Sequence, residues 1–114
     1  MNYAQLFNYI VEDEKVIIES AAAKNITDLV IPGDISGIPV LEISNDAFSR
    51  CKLLKRAIIP DTVKLIGDGA FNECTDLAYV KLPCDLERIG DNVFSNCRNL
   101  DEIIIPESVK EIGY

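Results

Sequence analysis

The segment IGDGAFNECTDLAYVKLP, residues 66–83, holds nearly one full period of a pattern that returns on both sides of it. Counting outward, Cys51, Cys74 and Cys97 fall 23 residues apart, as do Phe48, Phe71 and Phe94, and Leu54, Leu77 and Leu100. Pro60, Pro83 and Pro106 keep the same interval, and so do Ile43, Ile66, Ile89 and Ile112. Five kinds of residue do not share a spacing by accident. A fixed period of about twenty to fifty residues is the mark of a stacked repeat, in which each unit covers the apolar faces of its neighbours.

Written from its leucine, one coil runs from 54 to 76 and the next from 77 to 99, and a partial coil occupies 100–114. The leader of each is apolar at its first, fourth and sixth positions (Leu77, Val80, Leu82; Leu100, Ile103, Ile105), which reads as a short strand with one buried face. The proline that follows cannot donate to a ladder and ends the strand. A second apolar pair then appears (Val63 and Ile66, Leu86 and Ile89, Val109 and Ile112), predicting a second brief strand on the opposite side of the coil. Gly67, Gly90 and Gly113 permit a turn there. Asn45, Asp68 and Asp91 are then expected to cap one helical or 3-10 turn carrying each phenylalanine and cysteine inward. Upstream, Ile26 to Pro32 repeats the leader, and five extra residues within GDISGIPV delay the return to register at Val40 and Ile43. The first coil is therefore 26–53, and residues 26–114 are expected to form one solenoid.

Residues 1–25 stand outside that register. Leu6 to Val11 is an apolar run, Glu12 to Glu14 an acidic turn, and Val16 to Ile18 a second run, so a β-hairpin is expected, serving as an N-terminal cap over the open first coil.

The unit resembles the BspA-like leucine-rich repeats: a leucine leader ending in proline, an Ile-Gly pair, an Ala-Phe pair, and a cysteine before the next leucine. Residues 66–83 carry that pattern throughout, and the resemblance extends from about Ile26 to Tyr114. It implies a leucine-rich repeat fold, a right-handed, β-dominated α/β solenoid with a parallel sheet of short strands on one side. It also implies a protein-binding role in bacterial surface or secreted proteins, and hence an extracellular or cell-surface location. Thr62, Asp85 and Ser108 stand where the more familiar leucine-rich repeat places an asparagine, so no buried asparagine ladder is expected.

Composition narrows the partners. Eleven basic against nineteen acidic residues give a net charge of −8, which disfavours nucleic acid and anionic lipid. No apolar run is long enough for a membrane helix, so no membrane insertion is expected. The first residues lack a basic start followed by an apolar core, so no export signal is read there. There is no histidine, no glycine-rich phosphate loop and no nucleophile motif, so an enzyme is not expected and no cofactor is implied. Three thiols repeating at one position form a straight column rather than a converging ligand set. Cys51, Cys74 and Cys97 are therefore expected as small apolar core groups, and Cys84, alone after Pro83, as the surface thiol with the greater reactivity.

A protein partner is expected on the outward positions of the leaders. These form one column of Asp28, Arg56, Tyr79 and Glu102, and another of Val30, Ile58, Lys81 and Ile104. Val30, Ile58, Tyr79 and Ile104 make a modest apolar strip flanked by charge, the composition of a small interface. The alternative is a structural segment of a longer array that self-associates through the C-terminal end, around Ile103, Ile105, Val109 and Ile112.

Overall fold

The computed structural model describes residues 6–101 and 103–113. These residues form ten strands, seven in one sheet and three in another, on two sides of a stack of coils. The hairpin strands are β1 (Phe7–Glu12) and β2 (Lys15–Ala21), and the first leader is β3 (Asp28–Val30). The insertion contributes β4 (Asp34–Ile35), and β5 (Ile38–Ile43) completes that coil. Leaders β6 (Arg56–Ile58) and β8 (Tyr79–Lys81) alternate with β7 (Leu65–Ile66), β9 (Arg88–Ile89) and β10 (Glu111–Ile112). The leaders pair in parallel as β3-β6-β8, and the second strands run β1-β2-β5-β7-β9-β10 in a larger sheet. Coils 26–53, 54–76 and 77–99 thus each contribute to two sheets, the leader sheet that the resemblance implied and the second strand expected on the opposite side.

Parallel pairing follows the period. Leu29, Ala57 and Val80 are partners across β3, β6 and β8, as are Ile43, Ile66 and Ile89 across β5, β7 and β9. These residues point between the sheets and are buried together with Leu54, Leu77, Phe48, Phe71 and the cysteine column. Phe48, Phe71 and Phe94 stack at centroid separations of 5.4 and 5.8 Å. A repeated side chain therefore meets its own kind above and below, burying apolar surface that one coil alone could not cover.

The helical or 3-10 turn is absent. Among the described residues no helix forms, and the segments after β5, β7 and β9 are successive turns. Their N–H groups alternate in direction. Ala47, Ser49 and Cys51 donate locally to Ser44, Asp46 and Phe48, while Asp46, Phe48 and Arg50 donate to Asp68, Ala70 and Asn72 of the next coil. A helix needs consecutive N–H groups turned back along its own axis, and here every second one leaves for the neighbour. Positive φ at Asp46 and Arg50, at Gly69 and Glu73, and at Asn92 and Asn96 breaks any right-handed helical run. Asn45 and Asp68 accordingly cap nothing. Asn45 Oδ1 accepts from the Asp68 N–H and Asp68 Oδ1 from the Asp91 N–H, both at 2.8 Å. They form instead an exposed Asn-Asp-Asp ladder on the side of the second sheet, at positions other than Thr62, Asp85 and Ser108.

Gly67 and Gly90 are required by that ladder and not by their backbone angles. A Cβ on Gly67 would lie 2.5 Å from Asn45 Oδ1, and one on Gly90 would lie 2.6 Å from the Asp68 nitrogen. The insertion in the first coil lies in a small hairpin, in which Asp34 pairs with Pro39 and Ile35 with Ile38 around Ser36 and Gly37.

The expected N-terminal hairpin is present, with Val11 opposite Val16 and Glu12 opposite Lys15. Its second strand joins β5 in parallel, Val16 beside Val40 and Ile18 beside Ile43, so the hairpin extends the larger sheet by two strands. Lys15 and Glu42 form an ion pair across that junction. No described helix is long and apolar enough to cross a membrane.

Candidate functional site

Leaders β3, β6 and β8 point every second side chain out of the stack, because strand residues alternate between faces. Asp28, Arg56 and Tyr79 are consecutive partners in register, and so are Val30, Ile58 and Lys81. Six of the eight outward positions read from the sequence therefore stand together on one surface. The leader after Pro83 was expected as a fourth strand, but residues 103–105 form none. Ile104 is 78% exposed and lies off the sheet, and Glu102 falls outside the described residues. Among the described residues no strand pairs with the outer edge of β8.

The surface has a definite chemistry. The Arg56 guanidinium carbon sits 5.8 Å from the centre of the Tyr79 ring, a cation-π geometry that holds both side chains over β6 and β8. Val30 and Tyr79 are about half exposed, and Ile58 is partly covered between them. Beyond Tyr79 the unpaired edge of β8 opens into a groove of about 560 Å³. Tyr79, Lys81, Cys84, Asp101, Ile103 and Ile104 are among its lining residues. The groove is the part that the sequence did not show, because it arises from the failure of a repeated segment to pair.

Cys84 is exposed in that groove, as expected, but its environment does not activate it. Asp61 Oδ1 accepts from the Cys84 N–H at 3.0 Å. Desolvation, and then hydrogen bonding and repulsion from the Asp61 carboxylate, push the Cys84 thiol above its ordinary value. The thiolate is the reactive form, so this direction works against reactivity, while Cys84 remains the exposed one of the four cysteines. The same contact holds the Asp61 carboxyl below its usual range, chiefly through the Cys84 N–H.

The buried column behaves as more than three small apolar groups. Cys74 Sγ donates to the Phe48 carbonyl and Cys97 Sγ to the Phe71 carbonyl, each at 3.1 Å. Each thiol thus ties its coil to the one before. Burial, with smaller contributions from the flanking thiols, pushes Cys74 up to about 12. Among the described residues no group of histidine, cysteine or acidic side chains converges to hold a metal ion.

The C-terminal residues named for self-association divide. Ile103 and Val109 are partly buried against the core, whereas Ile105 and Ile112 are exposed at 39% and 59%.

Known structures share this architecture. A leucine-rich repeat protein of T. pallidum superposes with a TM-score of 0.75 at 34% identity, over 96% of this chain and 63% of that one. A leucine-rich cell surface protein of Faecalibacterium prausnitzii gives 0.81 at 32% identity, over 93% of this chain and 30% of that one. A leucine-rich repeat protein of Bacteroides capillosus gives 0.87 at 28% identity, over 95% and 83% respectively. The chain spans less than two thirds of the first two relatives. No curated protein matches it significantly in sequence. A family model for the BspA-type leucine-rich repeat region finds six copies across residues 15–114, so the chain belongs to that family.

Proposed function

We propose that the protein is a noncatalytic interaction module that binds another protein across β3, β6 and β8. The observation carrying this reading is the outward surface itself: Val30, Ile58 and Tyr79 side by side, Arg56 laid on the Tyr79 ring, and Asp28 and Lys81 at the borders. An apolar centre with an aromatic-arginine anchor and a charged rim is the composition of a small binding hot spot. The groove beyond Tyr79 extends it with Ile103 and Ile104. A partner with an apolar side chain for that groove and a carboxylate for Arg56 or Lys81 fits this chemistry. Display at a bacterial cell surface is supported by the cell-surface relative, and adhesion is the role this reading assigns to it there.

The test is the Arg56→Glu, Tyr79→Ala double variant against whichever protein the wild type captures from its surroundings. Loss of about tenfold or more in affinity with an unchanged far-UV spectrum is expected. Unchanged affinity moves the site off the leader face.

A second reading, a segment of a longer array that stacks coil on coil, is favoured by Ile105 and Ile112. Their counterparts Ile59, Leu82, Ile66 and Ile89 are all buried under a following coil. Glu102, assigned to the binding column by its place in the repeat, belongs to either reading.

A further inference from the structure

Strand β1 forms the outer edge of the larger sheet, and no described strand covers it. Its exposure is unlike that of the other long strands. Phe7 is buried, but the next five residues are exposed, among them Tyr9 at 41%, Ile10 at 37% and Val11 at 51%. Glu12, at its end, is its one charged residue. Edge strands of soluble proteins are ordinarily protected by lysine, proline or a covering element. β1 has only a register shift between Asn8 and Tyr9.

The turn dictates which backbone groups face outward. Asp13 and Glu14 both have positive φ, 50° and 63°, the signature of a two-residue type I′ hairpin turn. Glu12 and Lys15 are then the closing pair that exchanges hydrogen bonds. Because bonded and non-bonded pairs alternate along an antiparallel ladder, Val11 opposite Val16 and Tyr9 opposite Ile18 are non-bonded pairs. The N–H and C=O groups of Tyr9 and Val11 point away from β2, toward open space.

We propose that β1 pairs antiparallel with β1 of a second copy of this chain, about a two-fold axis at Ile10, joining two sheets into one. In that register Tyr9 lies opposite Val11 of the second copy, and Val11 opposite its Tyr9. Both are hydrogen-bonding pairs, so four backbone hydrogen bonds form. On one face an aromatic ring sits across from a β-branched side chain in both pairs, a favourable combination. On the other face Ile10 meets Ile10 of the second copy, and Asn8 comes opposite Glu12, offering the carboxylate an amide.

Charge selects the occupant and its direction. A strand that fits this edge must be apolar in its middle on both faces and must keep acid away from Glu12, Asp13 and Glu14. β1 meets both conditions when antiparallel. The two Glu12 residues then stand four positions apart, roughly 14 Å at ~3.4 Å per residue, beyond the ~8 Å screening length of physiological salt. Parallel pairing would instead set two acidic turns about 4.8 Å apart, which a chain of net charge −8 resists.

The test compares masses by analytical ultracentrifugation at micromolar concentration. The wild type is expected at twice the chain mass. Val11→Pro removes an N–H that the hairpin does not use, so it is expected to give a monomer with an unchanged far-UV spectrum. For the register, Ile10→Cys is made with Cys84→Ser. Opposed non-bonded residues lie about 4.5 Å apart, within disulfide range, so oxidation is expected to yield a covalent dimer. Asn8→Cys in the same background is expected to stay uncrosslinked. A monomeric wild type overturns the proposal, as does a dimer that Val11→Pro leaves intact, which would place the contact elsewhere, such as the last coil. Failure of Ile10→Cys to crosslink overturns the register.

Discussion

The coil at 54–76 and the one beginning at Leu100 carry the same apolar register, yet the first is sealed and the second is not. Ala57, Ile59, Val63 and Ile66 are buried to within 1% of full cover. Their counterparts Ile103, Ile105, Val109 and Ile112 are partly buried or exposed. The decline is graded: Phe48 and Phe71 are fully buried and Phe94 is not, and Cys51 and Cys74 are at 0% where Cys97 is at 9%. The comparison teaches that in a stack of this kind a side chain's burial belongs to its neighbours as much as to itself. A repeat residue is only half supplied by its own coil.

The largest effect expected from this contrast is in the phenylalanine stack. Phe71→Ala removes a ring held between two others and should cost about 3–5 kcal/mol. Phe94→Ala, packed from one side, should cost roughly half as much on the same large-to-small scale. Urea unfolding of the two variants checks this, and equal costs would break the comparison. Next in size is the glycine pair. Gly90→Ala drives a Cβ against the Asp68 backbone between two well-held coils, an overpacking of about 1–3 kcal/mol. Gly113→Ala makes the same clash, 2.7 Å from the Asp91 nitrogen, but the coil around it is packed on one side and can shift. A clearly smaller loss of thermal stability is expected there.

The smallest effect concerns the thiols. Burial raises Cys51, Cys74 and Cys97, so the folded state holds its protons more tightly than the unfolded chain does. Their contribution is fully present below the unfolded value, near 8.5, and is lost as pH rises from there toward about 12 for Cys74. The urea midpoint should therefore fall on going from neutral to strongly alkaline buffer, and Cys74→Val should flatten that fall. At the surface, Asp61→Asn removes the carboxylate that raises Cys84 and should speed its alkylation by iodoacetamide at mildly alkaline pH.

Much of this molecule was legible in the chain. The interval between Phe48, Phe71 and Phe94 placed the core column, the alternation in Tyr79 to Leu82 placed a strand, and Glu12 to Glu14 placed a hairpin turn. Reading the turns as helical failed for a specific reason. Ala70-Phe71 and its equivalents have residues that tolerate a helix, but the choice lay with N–H groups that found carbonyls one coil away. The ladder was missed likewise. Asn45 and Asp68 have the right chemistry for a cap or a ladder, and only the position of the next backbone distinguishes them. The outward columns of three leaders were legible from the strand alternation, and the register places Asp28, Arg56 and Tyr79, and Val30, Ile58 and Lys81, side by side. The strand reading failed at Ile104, because a strand signal cannot say whether a partner strand is held beside it.

The sequence by itself determined the period, the inward stripe and therefore the family, since these depend on residue type at fixed intervals. Tertiary structure alone decided where each backbone donor is satisfied, which leader stays unpaired and which strand is left as an open edge. Those outcomes depend on what lies one coil away, some 23 residues along the chain, and hydrogen bonds and burial answer to distance in space.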